Sequence, residues 1–252
     1  MIGGRSRTAP ASSGTWPGTP RSPRDLARVE TLVLAVYFAV FWAWLWWVWQ
    51  EPEWAHWITL VLIPLGLLWL MHRRTDPGFG PRDALASVGL VRNHLRDGLL
   101  MAVVVALAMS ALMLALNKGG FAEWLEVFRS GKGYWLLPLL VLLMLVTAAT
   151  TEEFFFRGCI QRALTDATGR PVLAVVVTAL LFGLYHVPYR YLDSHDLGQA
   201  FGQAMVDALL SGVVLGVVYW RSRGNLLAPI LTHAVFNAVG GLAMVHIGWL
   251  GI

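Results

Sequence analysis

Five side chains in this sequence carry chemistry out of keeping with their surroundings. Glu152 and Glu153 stand near the head of Thr151-Glu152-Glu153-Phe154-Phe155-Phe156-Arg157-Gly158; His186 closes Phe182-Gly183-Leu184-Tyr185-His186; His233 and Asn237 bracket His233-Ala234-Val235-Phe236-Asn237. Each group lies within or directly after a long apolar run. A charge at the centre of a bilayer costs about 2.5–3.5 kcal/mol on insertion scales, so such a residue needs either a partner or a function. A carboxylate, two imidazoles and an amide suit the activation of water. The carboxylate takes a proton, while imidazole or amide donors hold the oxyanion that develops. One carboxylate with two histidines is also a ligand set that zinc accepts, and the residues leave both chemistries open.

Helical geometry separates the adjacent acids. Residues four apart lie about 40° apart on the helical wheel and adjacent ones about 100°. Glu153 and Arg157 therefore share a face, acid before base, which is the favourable order and makes Glu153 the structural partner of Arg157. Glu152 points elsewhere and is free to meet other helices. His233 and Asn237 share a face of their own, and His186 shares one with Phe182. Taken singly, a membrane histidine or asparagine is more often a packing group than a catalyst. It is the joint occurrence on separate apolar runs that points to a site.

The elements that must position these groups are membrane helices. The chain has 252 residues, 57% hydrophobic and 13% charged, against about 25% charged in a soluble domain. A span needs about 20 apolar residues. Seven runs qualify or nearly so, at about 31–49, 54–71, 98–116, 134–151 with a polar continuation, 172–188, 204–220 and 226–247. An eighth arises if the last divides after Gly240-Gly241. The expected fold is all-α and polytopic. It comprises a disordered tail over 1–24, too rich in Arg, Ser, Pro and Gly to offset ordering entropy, and one membrane domain over 25–252.

The net charge of +4 reads as topology rather than as a nucleic-acid partner, because cytoplasmic loops collect Lys and Arg. Counted alternately from the N-terminus, one side of the membrane holds fifteen of the Lys and Arg residues and the other only Lys118, Arg129, Lys132 and Arg190. The N-terminus is thus expected in the cytoplasm and, with seven spans, the C-terminus outside. Tryptophans crowd the first hairpin as an interfacial belt. Cys159 is the only cysteine, so no intrachain disulfide forms. Asp207 and Gln203 read as structural.

Other intramembrane protease chemistries lack their signatures: the sequence has no HExxH, no GxSG and no GxGD. What it does have is EExxxR, then FxxxH, then HxxxN, on successive apolar runs. This order resembles the CPBP family, the CAAX prenyl proteases and bacteriocin-processing membrane proteins also called Abi. The stretch from Gly212-Val213-Val214-Leu215-Gly216 to Asn225-Leu226-Leu227-Ala228-Pro229-Ile230 resembles the family's lead-in to its last motif. The resemblance covers about 136–240, the expected catalytic core. It implies peptide-bond hydrolysis in the membrane, with Glu152 as catalytic glutamate, His186 as the first essential histidine, and His233 with Asn237 at the scissile carbonyl. Family annotation often says metalloprotease. A zinc ion, if bound, would take Glu152, His186 and His233; a glutamate-activated water is the preferred reading.

The resemblance also sets a condition. Glu152 and His186 reach one depth only if the fourth helix runs on to about Leu164 and the fifth begins outside the hydrocarbon. The expected partners are the bilayer and a membrane-associated peptide or protein, either a prenylated tail, a bacteriocin leader or a C-terminal sorting signal. The Arg-heavy, Lys-poor composition suggests a bacterial inner membrane. Competing readings are a proton-coupled transporter, since membrane Glu and His also mark ion paths, and a non-catalytic immunity or binding protein.

Overall fold

The computed structural model describes residues 22–47, 53–90, 95–116 and 118–244. Most of the expected tail, residues 1–21, lies outside them, as do residues 245–252. Among the described residues every regular element is helical. We number them α1 (Pro23–Leu45), α2 (Trp54–Thr75), α3 (Pro81–Ser87), α4 (Leu95–Leu116), α5 (Lys118–Arg129), α6 (Gly133–Thr168), α7 (Pro171–Ser194), α8 (Leu197–Arg221) and α9 (Leu227–Met244). Six of these are long and apolar enough to cross a membrane, with α9 a shorter apolar helix beside them. This is a polytopic helical membrane protein with the seven apolar runs read from the sequence. α9 passes through Gly240-Gly241 without a break.

Local signals account for the helix ends. Ser22 caps α1, its hydroxyl accepting from the Asp25 amide, and Pro23 takes the first position, where its missing N–H costs nothing. Between α6 and α7, Gly169 adopts the left-handed conformation at φ 69° and Pro171 opens the next helix, giving a tight reversal. Asp196 caps α8 by accepting from the Gln199 amide at 3.0 Å.

The fourth apolar run is not a simple span. α6 continues past the acidic pair for 36 residues to Thr168, as the depth argument requires. Its course bends at Thr147, whose backbone (φ −115°, ψ −111°) is not helical. It is then under-wound as a π-helical segment from Phe154 to Gln161, a departure often found at functional sites. All eight residues of that segment are buried. Phe154, Phe155 and Phe156 form the aromatic centre of the molecule with Phe38, Phe41, Phe182 and Tyr185.

Around this axis α1 packs against the C-terminal part of α6, α7 against α8, and α9 between α4 and α6. The α7–α8 approach is close enough to require glycine. A Cβ on Gly183 would stand 2.6 Å from the Ala204 carbonyl oxygen, and one on Gly212 3.0 Å from the Ala179 Cα. Small residues at such crossings let membrane helices meet backbone to backbone. The aromatic belt divides: Trp47 and Trp54 are exposed, whereas Trp42 turns inward and donates from its indole to the Leu184 carbonyl at 2.7 Å.

Candidate active site

Arg157 and Glu153 form the base of the site. Both are fully buried, and Arg157 Nη1 donates to Glu153 Oε1 at 2.9 Å. The guanidinium also donates from Nη2 to the Gly212 carbonyl on α8 at 3.0 Å, and lies over the Phe182 ring on α7 at 4.7 Å. One side chain on α6 thereby fixes two neighbouring helices. Hydrogen bonding and the ring's negative face replace the water it has lost.

The wheel argument assigned Glu153 no partner beyond Arg157, and here the structure adds one. Nδ1 of His233 donates to the same Oε1 at 2.8 Å. A carboxylate accepts only, so the proton resides on Nδ1 and Nε2 is directed away from Glu153. Nε2 lies 3.9 Å from Oε2 of Glu152. That is too long for a direct hydrogen bond and suits a single bridging water. Oε2 of Glu152 is buried and accepts no hydrogen bond among the described residues. The two acids thus lie on either side of one imidazole: Glu153 beneath, orienting it, and Glu152 above.

His186 is held in a comparable way. Its Nδ1 donates to the Phe182 carbonyl one turn back, at 2.8 Å, which again leaves Nε2 for other work. Glu152, His186, His233 and Asn237 all line one cavity of about 490 Å³, together with Phe182, Arg190, Asp207 and Ser211. The residues singled out in the sequence come together, from α6, α7 and α9. No three His, Cys, Asp or Glu side chains among the described residues are grouped as a metal ion would need. Glu152, His186 and His233 therefore do not make a zinc site as they stand.

Two charged lining residues were not foreseen as part of the site. Arg190 pairs with Asp207 across α7 and α8, Nε and Nη2 both donating to Oδ2 at 3.1 and 3.0 Å. The sequence carries a signal for Arg190, which lies four residues after His186 and hence on the same face. Asp207, read as structural, both pairs with Arg190 and lines the cavity. Cys159 is free of any disulfide and buried, a packed core residue.

Residues 134–239 match a family model described as type II CAAX prenyl endopeptidase, Rce1-like. No curated protein and no solved structure gives a significant match.

Proposed function

We propose that this chain, whose residues 134–239 match the model of the type II CAAX prenyl endopeptidases, hydrolyses a peptide bond of a membrane-associated substrate with a water activated by Glu152. The observation that carries this reading is a cavity of about 490 Å³ inside an apolar helical bundle, lined by a carboxylate, two imidazoles and an amide. A general base must be within hydrogen-bond reach of the proton it takes. A water between Oε2 of Glu152 and Nε2 of His233, 3.9 Å apart, meets that condition.

In the proposed reaction Glu152 accepts a proton from water as the oxygen adds to the scissile carbonyl, whose π electrons move to oxygen. Asn237 donates its amide N–H to that oxyanion. His233, with both ring nitrogens protonated, donates from Nδ1 to Glu153 and from Nε2 to the oxyanion. As the C–N bond breaks, protonated Glu152 returns its proton to the leaving amine. His186 lines the same cavity. The Phe182 carbonyl fixes its tautomer, so that in the neutral ring Nε2 accepts a hydrogen bond from that water.

The test compares membrane-protein termini, read by mass spectrometry, between cells expressing the wild type and cells expressing Glu152→Gln. New termini present only with the wild type would identify the substrate, and purified components should reproduce the cut. Identical termini in both, with the two proteins equally abundant, would remove the peptidase reading.

A further inference from the structure

We infer that a polar cavity at the arginine-rich end of the bundle binds the headgroup of a phospholipid that carries a primary ammonium beside its phosphate, as phosphatidylethanolamine does. The cavity shares no lining residue with the catalytic one, and binding there does not depend on the peptidase function.

The arginine-rich helix ends meet at one end of the bundle. Glu30 at the start of α1 binds His72 at the end of α2 (2.5 Å) and Arg162 near the end of α6 (2.6 Å). The Leu226 amide between α8 and α9 donates to the Gly89 carbonyl after α3 at 2.9 Å. Gly89 (φ 92°) is required for that approach, because a Cβ there would stand 2.0 Å from the Gly224 carbonyl oxygen.

The ends of α3, α6 and α8 enclose about 600 Å³ at this place, within the usual size of a small-ligand site. α6 and α8 are both long enough to cross the membrane, and they end at Thr168 and Arg221. The deepest lining residue on α6 is Gln161, about 10 Å inside the end of that helix at about 1.5 Å per residue. Exposed Trp220 also lines the cavity, and tryptophan marks the headgroup level of a membrane helix.

The lining carries more hydrogen-bonding capacity than the protein itself uses. Tyr219 is only 6% exposed, yet its phenolic hydroxyl makes no hydrogen bond among the described residues. That hydroxyl stands 3.5 Å from the point where a Cβ on Gly224 would lie, and both residues line the cavity. Gln161 is buried; its Nε2 donates to the Gly216 carbonyl at 2.9 Å, while its Oε1 accepts nothing among the described residues. Buried polar groups are nearly always paired, and leaving one unpaired is costly. Arg223 has no ion pair among the described residues, and half-exposed Asp166 uses Oδ2 on Arg162 at 3.3 Å and keeps Oδ1.

These groups ask for a ligand with two ends. A phosphate diester matches the guanidinium groups of Arg223 and Arg162. An ammonium, with three N–H donors and a positive charge, matches Asp166 and the acceptor oxygens of Tyr219 and Gln161. The trimethylammonium of phosphatidylcholine has no N–H to offer them, and the glycerol of phosphatidylglycerol has hydroxyls but no charge for Asp166.

Native mass spectrometry of the full chain, delipidated in a neutral detergent, tests this. Phosphatidylethanolamine, phosphatidylglycerol and phosphatidylcholine with the same acyl chains are titrated separately, and glycerophosphoethanolamine serves as the chain-free competitor. One phosphatidylethanolamine should be retained, about fivefold or more tighter than either other lipid, which is the worth of about one hydrogen bond. Asp166→Asn should abolish its advantage over phosphatidylglycerol, and Tyr219→Phe and Arg223→Gln should each weaken it. Arg82→Gln, at the same end of the bundle but outside the lining, should leave it unchanged. Equal retention of the three lipids, or equal losses in Arg82→Gln and Arg223→Gln, overturns the inference and leaves only a general attraction of arginines for phosphate. Glycerophosphoethanolamine as potent as the lipid overturns the lipid assignment in favour of a soluble ligand. Asp166 and Arg223 are exposed, so their variants report binding in folded protein even where Tyr219→Phe lowers stability.

Discussion

At the scale of single residues, the two adjacent glutamates should fail differently. Glu152→Gln preserves shape but cannot take a proton from water. Loss of a general base typically costs about 10²–10⁴-fold, so turnover should fall by that much while the thermal midpoint in detergent stays close to wild type. Glu153→Gln removes the charge facing a fully buried Arg157, and breaking such a pair costs about 3–5 kcal/mol. A lowered midpoint is expected. Because Glu153 also holds Nδ1 of His233 at 2.8 Å, cleavage per folded molecule should drop as well. A folded, fully active Glu153→Gln protein would show that His233 is oriented by something else. Stable, inactive Glu153→Gln beside active Glu152→Gln would reverse the two roles. A further expectation concerns metal: with Glu152 as base and His233 and Asn237 as donors, activity should survive exhaustive chelation. Loss of activity on chelation, regained on adding zinc alone, would contradict the proton-transfer scheme.

Contacts between helices decide whether those residues meet. α7 and α8 touch through Gly183, where a Cβ would come within 2.7 Å of the Ala208 Cβ and closer still to the Ala204 carbonyl. Gly183→Ala must push the helices apart, and overpacking of this kind costs about 1–3 kcal/mol. Its unfolding midpoint should fall, and Arg157, which reaches the Gly212 carbonyl on the displaced helix, should lose a partner. Gly66→Ala is the control, since nothing lies within 4 Å of the added Cβ and alanine favours helix by up to about 1 kcal/mol. An equal loss in both variants would mean that the α7–α8 approach is not what glycine serves. At the other end of α6, Glu30 is buried between His72 and Arg162. Glu30→Gln should lower the midpoint through the loss of a buried pair while leaving cleavage per folded molecule unchanged. A selective loss of activity there would tie the arginine-rich end to the chemistry.

For the molecule as a whole, an odd number of crossings puts the termini on opposite sides. On the topology that the arginine bias predicts, N-terminus inside with seven crossings, alkaline phosphatase fused after Ile252 should be active, and a fluorescent protein fused there and dependent on cytoplasmic folding should stay dark. Bright fluorescence would require an even number of crossings.

Much of this was legible without coordinates because lipid imposes a strict rule: polar groups in apolar runs are conspicuous, and the span length is set by the bilayer. The seven runs and the Glu153–Arg157 pair at i and i+4 could be read from spacing, and the candidacy of Glu152, His186, His233 and Asn237 from their place in apolar runs. So could the requirement that the fourth helix overrun its apolar stretch. Spacing along one helix says nothing about distances between helices, however, and there the tertiary structure decided. It gave Glu153 a second partner in His233, brought Arg190 and Asp207 to the cavity wall, and introduced a π-helical turn that no periodicity announces. It also set Gly158 against Val88 and Leu226 against Gly89, pairs separated by 70 or more positions in the chain and joined only by packing.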